Sequence, residues 1–199
     1  MADTEGKIEI GISHIVYALD KPDGSVGETW KPMAGAVQLQ VEPQGSTNNF
    51  YADNSAYYTS YGASSDNFTL EIARLTDEAK IDLLGHVRDS VNGGLGEPAN
   101  AKPKMFTMGF QYEGDTDVVR GLKYGCTLSR PSSTHNTTTE SSDPDTITLD
   151  GSAIGKTFTV DGEEVKYINY AFKSSDENDD GFKYFYTKPI TPGMEIPQS

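Results

Sequence analysis

Two short stretches of this sequence carry residue types in patterns that could do chemistry, and each lacks a part its chemistry needs. Asp176-Glu-Asn178-Asp-Asp180-Gly181 places oxygen ligands at alternate positions ahead of a glycine, as the first half of a calcium loop does. The twelfth position is Thr187, not the bidentate glutamate that completes such a loop, and the flanks Tyr170–Phe172 and Phe182–Tyr186 read as strands. Asp176, Asn178 and Asp180 are therefore a weak calcium candidate, and an acidic hairpin turn accounts better for the run. Gly94-Leu-Gly96-Glu-Pro-Ala99 fits a dinucleotide fingerprint in letters, but Pro98 and Pro103 follow it and no helix begins there.

The remaining reactive residue types are scattered. His14, His86 and His135 show no zinc-site spacing, and no G-x-S-x-G nucleophile elbow is present. Cys126, the one cysteine, alternates with Leu122, Tyr124 and Leu128 and reads as a small core residue. Glu163 and Glu164 read as a solvated acidic face. Asn67-Phe-Thr69 and Asn136-Thr-Thr138 are glycosylation sequons only in form without a secretory route. The sequence thus predicts no enzyme, no cofactor and no resident metal.

The formal charge of −14 sets the class of partner. Nucleic-acid binding needs Lys and Arg to displace phosphate counterions, and anionic membranes need the same basic residues. Residues 131–199 carry 5 basic and 12 acidic residues, against 11 and 18 in residues 1–130, so the last third is the denser negative surface. The opening Met1–Gly6 has no basic or apolar signal region, and no apolar run nears the roughly 18 residues of a membrane span. The expected setting is a reducing cytoplasm, with no membrane anchor.

The elements that must position any site are read from periodicity. A content of 11 Tyr, 8 Phe and 20 Gly favours pleated surfaces and tight turns. Strands are expected over Lys7–Ala18 with an irregularity at Gly11, over Ala36–Glu42 with Val37, Leu39 and Val41 on one face, and over Asn67–Ala73 with Phe68, Leu70 and Ile72 inward. Met105–Tyr112, Gly121–Leu128, Thr146–Leu149, Thr157–Val160, Val165–Phe172 and Phe182–Thr187 follow, with Asp161-Gly162 as a hairpin turn. One helix is predicted from Thr76, a good N-cap, to about Leu84, closed by Gly85.

Residues 43–66 lack clear periodicity and read as a long loop carrying Phe50, Tyr51, Tyr57, Tyr58 and Tyr61. Those rings form either a contact surface or part of the domain's own core. Residues 129–145 read as a mobile loop and 189–199 as an extended arm. The expected fold is mainly β, an antiparallel sandwich or barrel-like domain over residues 1–199 with one short helix; 131–199 could be a separate module.

Read in order, several segments resemble the major tail proteins, or tail-tube proteins, of long-tailed bacteriophages of Gram-positive hosts. The resemblance is carried by GKIEIGISHIVYALDKPDGS, by WKPMAGAVQLQVEPQGSTNNFYADNSAYY with its Phe50-Tyr-Ala-Asp53 step, by LEIARLTDEAKIDLLGH and by KPKMFTMGFQYEG. It covers about residues 6–130. It implies a tail-tube fold, hexameric rings stacked into a tube, and a long loop, including Asp53, that touches neighbouring subunits. It also implies tape-measure, baseplate or initiator and tail-terminator proteins as partners, passage of double-stranded DNA without sticking, and residence first in the host cytoplasm and then in the virion tail. The resemblance carries no catalytic residues. An adhesin or decoration protein built on a β-sandwich is the competing class, and a hydrolase or calcium-dependent binder using Asp176, Asn178 and Asp180 is the third.

Overall fold

The computed structural model describes residues 9–33, 35–52, 55–114, 117–132, 146–175 and 180–197. Its strands are β1 Glu9–Leu19, β2 Lys31–Pro32, β3 Ala36–Ala52, β4 Ser55–Ile72, β5 Val87–Arg88, β6 Leu95–Gly96, β7 Phe106–Gly114, β8 Val118–Leu128, β9 Ile147–Ala153, β10 Lys156–Val160, β11 Glu163–Tyr167 and β12 Asn169–Lys173. The helices are α1 Asp77–Leu84 and α2 Asp180–Tyr184. One eight-stranded antiparallel sheet runs β2-β1-β7-β8-β9-β4-β3, with β12 also paired to β8. β10–β11 and β5–β6 form two small ribbons. The fold is mainly β, as expected. It departs from the expectation in that β1 and β3 approach each other without pairing, so the sheet stays open, and in its second helix.

Alternation builds the centre. Phe68, Leu70 and Ile72 of β4 and Phe106, Met108 and Phe110 of β7 enter one core with Ile15, Tyr17 and Leu149. Helix α1 closes that core with Ala79, Leu83 and Leu84. Thr76 caps it, accepting from the Ala79 N–H at 3.2 Å, and Gly85 ends it at φ 75, a left-handed conformation that costs glycine little. Lys31 fastens the helix to the β1–β2 edge, donating to Asp82 at 2.6 Å and Glu78 at 2.8 Å, and both acids raise its pKa. Tyr17 donates to Asp82 at 3.1 Å, and burial followed by the nearby carboxylate pushes its pKa up.

A second core lies on the opposite face of β8, where Val26, Leu122, Tyr124, Phe185 and Ile190 pack. Sequence alternation puts Leu122, Tyr124, Cys126 and Leu128 on one side. The structure divides them, because Gly125 (φ 65) sits where the β7–β8 register shifts and turns Cys126 and Leu128 into the first core. Gly11 marks a similar shift in β1, as the sequence predicts. Val37 is another correction: a bulge between Ala36 and Gln38 leaves it 52% exposed, while Leu39 and Val41 stay inward.

Three further expectations are corrected. Residues 43–66 are a continuation of β3 and β4, paired from Pro43↔Asp66 to Ala52↔Ser55, rather than a loop. The aromatic run from Phe182 forms the end of α2 and a turn instead of a strand, which buries Phe185 and lets Trp30 stack on it at 6.0 Å. The tail docks on the domain: Ile190 is buried and its carbonyl accepts from Tyr124 Oη at 2.7 Å. Residues 147–153 and 169–173 are strands of the main sheet, paired with β4 and β8. The expected mobile loop lies outside the described residues from 133 to 145.

Candidate assembly interface

β9 covers β4 only from Asp66 to Ile72. Beyond Asp66, β3 and β4 continue as a two-stranded ribbon with no further strand beside them among the described residues. From Gln44 to Ala52 it extends roughly 30 Å at about 3.3 Å per residue. Among the described residues β3 is also the outer strand of the sheet, with no strand on its other edge along the arm. Rows of unpaired backbone N–H and C=O groups of this kind are templates for pairing with another chain.

β8 explains where the arm leaves the sheet. Its C-terminal part pairs with β9, Cys126↔Ala153 to Leu128↔Gly151, and its N-terminal part pairs with β12 on the same side, Val119↔Lys173 to Lys123↔Asn169. The exchange of partners falls at Tyr124 and Gly125, and the intervening chain leaves as the β10–β11 ribbon. Beyond β9, therefore, β4 and β12 are not paired with each other, and among the described residues each has an edge that no strand takes.

A buried polar triad fills this branch point. Lys123 Nζ lies 2.6 Å from Asp66 Oδ2 and 2.6 Å from Asn169 Oδ1, and Asn169 Nδ2 donates to Asp66 Oδ2 at 3.1 Å. The Lys123 and Asp66 side chains are only 1% and 5% exposed. A buried charge is tolerable when paired and hydrogen-bonded, so the triad fixes three strands together at the arm's root. Nothing local in the sequence marks it, because its members are far apart along the chain.

A groove of about 470 Å³ opens on the second core between the β1–β2 connection, β10 and the tail. Lys21, Lys156, Lys188, Glu28, Val26 and Phe158 line it. Lys21 pairs with Glu28, which raises the Lys21 pKa and lowers that of Glu28, and Lys188 reaches the same carboxylate at 3.9 Å. Lys156 is committed below the surface, with Asp20 Oδ2 at 2.8 Å. The ammonium also donates to the Gly24 carbonyl; burial raises the Asp20 pKa, against the opposing pull of Lys156.

The predicted contact residues fall on the arm. In backbone register Phe50 is opposite Tyr58, Tyr61 opposite Thr47 and Tyr51 opposite Ala56, and Tyr57 lies in β4. Asp53 lies outside the described residues. So do Asp176 and Asn178, while Asp180 opens α2. Among the described residues no three His, Cys, Asp or Glu groups gather as a metal site, and no helix is long and apolar enough to cross a membrane.

No known family profile matches the chain, and no curated protein does. Among solved structures, the chain is similar to a cryo-EM structure of the anti-feeding prophage cap, a tube terminating cap, at 15% identity and a TM-score of 0.39, covering 77% of this chain and 95% of that one.

Proposed function

We propose that this protein is a non-enzymatic tail-tube subunit that polymerises into stacked hexameric rings through which double-stranded phage DNA passes. The observation that carries the reading is the paired arm beyond Asp66, a ribbon whose edges no other strand covers among the described residues. A tube made of one protein needs one contact that closes a ring and another that stacks rings, and free edges with projecting arms suit both. The charge of −14 suits a conduit, since acidic walls avoid the counterion-release binding that basic walls would create. Repulsion of this kind reaches about one Debye length, roughly 8 Å in physiological salt. Tape-measure, baseplate and tail-terminator proteins would be the other partners, met in the host cytoplasm and kept in the virion.

Negative-stain microscopy of the purified chain over rising concentration tests the reading. Rings or hollow filaments are expected. Particles that stay at 21.6 kDa, even when seeded with the matching baseplate, refute it and favour the adhesin class.

A further inference from the structure

One half of the main sheet keeps an open face. The second core covers that face over β7, β12 and the first part of β8, where Trp30 and Phe185 lie against Gly109. Over β3, β4, β9 and the end of β8 it is uncovered, and its side chains are half-buried or exposed. They are every second residue of 38–42, 67–71 and 148–152, with Thr127 opposite Ser152. The register aligns them in rows across the strands, a patch roughly 15 Å wide at about 4.8 Å between strands.

The composition of this patch is selective. Glu42, Glu71 and Asp150 stand among Gln, Asn, Ser and Thr, and no position is basic or apolar. Among the described residues each carboxylate is held by an uncharged donor and not by a cation. Gln40 Nε2 donates to Glu42 at 3.0 Å, Thr69 Oγ1 to Asp150 at 2.8 Å and Thr146 Oγ1 to Glu71 at 2.5 Å. The negative charge is thus fixed in place without being neutralised. Elsewhere the surface does carry bases, Arg74, Lys102 and Lys166 among them, so solvent alone does not exclude them. The centre of a subunit contact is enriched in aromatic, Met and Arg anchors, and this patch has none.

We infer that this face, with Glu42, Glu71 and Asp150, is the wall past which double-stranded DNA moves. The inference rests on the tube reading and assigns its inner surface. Phosphates meet there only fixed like charge and neutral polar groups, with no Lys or Arg to displace their counterions. Residues 131–199, the densest negative stretch of the sequence, supply only Asp150 of the three acids, so the wall is not where composition alone puts it.

Thiol accessibility tests it. Cys126 is buried, so a thiol placed on the face is the one a maleimide reaches. Thr148→Cys and Gln40→Cys are made separately in the full chain, checked by circular dichroism and assembled. Each is treated, as free subunit and as tube, with N-ethylmaleimide and with a maleimide on a branched polymer bulkier than the subunit. Free subunits should take both reagents. Tubes should keep labelling by the small reagent and lose labelling by the polymer. Tubes that take both reagents place the face outside, and tubes that take neither place it between subunits, as does a folded variant that no longer assembles. Each of these results overturns the inference while the tube reading stands. If the native chain never assembles, the tube reading itself fails.

Discussion

Replacing Lys123 by Met tests the root of the arm most directly. The change keeps the aliphatic stem and removes the ammonium, so the packing loss is small and the electrostatic loss is isolated. Among the described residues Asp66, 5% exposed, would keep the Asn169 amide at 3.1 Å as its side-chain partner. Stripping one partner from a buried pair costs about 3–5 kcal/mol, because the remaining charge is left uncompensated. Against a total stability of about 5–15 kcal/mol for an ordinary domain, that is a large loss. Urea unfolding of native protein, Lys123→Met, Asp66→Leu and the double variant closes a thermodynamic cycle. The double variant should recover most of the stability, since an apolar pair removes both desolvated charges and Asn169, exposed as a residue, can turn to water. A single-variant loss under about 1 kcal/mol, the range of exposed ion pairs, would refute the sequestered triad. So would a double variant as unstable as the sum of the singles.

Gly45 and Ala63 face each other across the arm, so replacing residues 46–62 with Asn-Gly should leave a monomer with native circular dichroism that no longer sediments as polymer; an unfolded product would place those tyrosines in the core. Gly151→Ala would put a Cβ 2.4 Å from the Phe68 ring and 2.6 Å from the Thr127 carbonyl oxygen, and should cost about 1–3 kcal/mol in thermal or urea unfolding; an unchanged midpoint would show that the ring moves freely. Burial raises the Tyr124 pKa, so above about pH 10 the unfolded chain releases a proton that the folded one keeps, and stability falls as pH rises. Tyr124→Phe should weaken that alkaline loss while costing about 1 kcal/mol at pH 7 through the hydrogen bond to Ile190; an unaltered pH profile counts against the assignment.

How far the sequence could be read depended on whether the relevant cause was local. Helix α1 was legible from Thr76 to Gly85 because both caps act within a few residues. β4 and β7 were legible because one core takes every second residue. The arm was not: strand periodicity is visible only where one face is buried, and Gly, Ser, Thr and Asn over residues 43–66 show no such contrast. The Phe182–Tyr186 run looks like a strand by composition, but filling the second core overrode propensity. At Gly125 a single left-handed residue exchanged the faces of β8, which a fixed period of two cannot anticipate. The aromatic positions Phe50, Tyr51, Tyr57, Tyr58 and Tyr61 lie on a paired ribbon where the sequence suggested a loop. The Lys123 triad and the lysine groove gave no signal, since Lys21, Lys156 and Lys188 converge only after folding.

In the proposed tube, an arm that projects from one side of each subunit would also bear on length. A subunit that offers a ribbon forward and accepts another behind leaves, in any stack, one ribbon unclaimed at one end and one vacant seat at the other. Nothing in such a scheme counts copies. In the proposed tube, a defined length would therefore have to come from outside the chain, through a ruler that spans the stack and a differently shaped last member that accepts without offering.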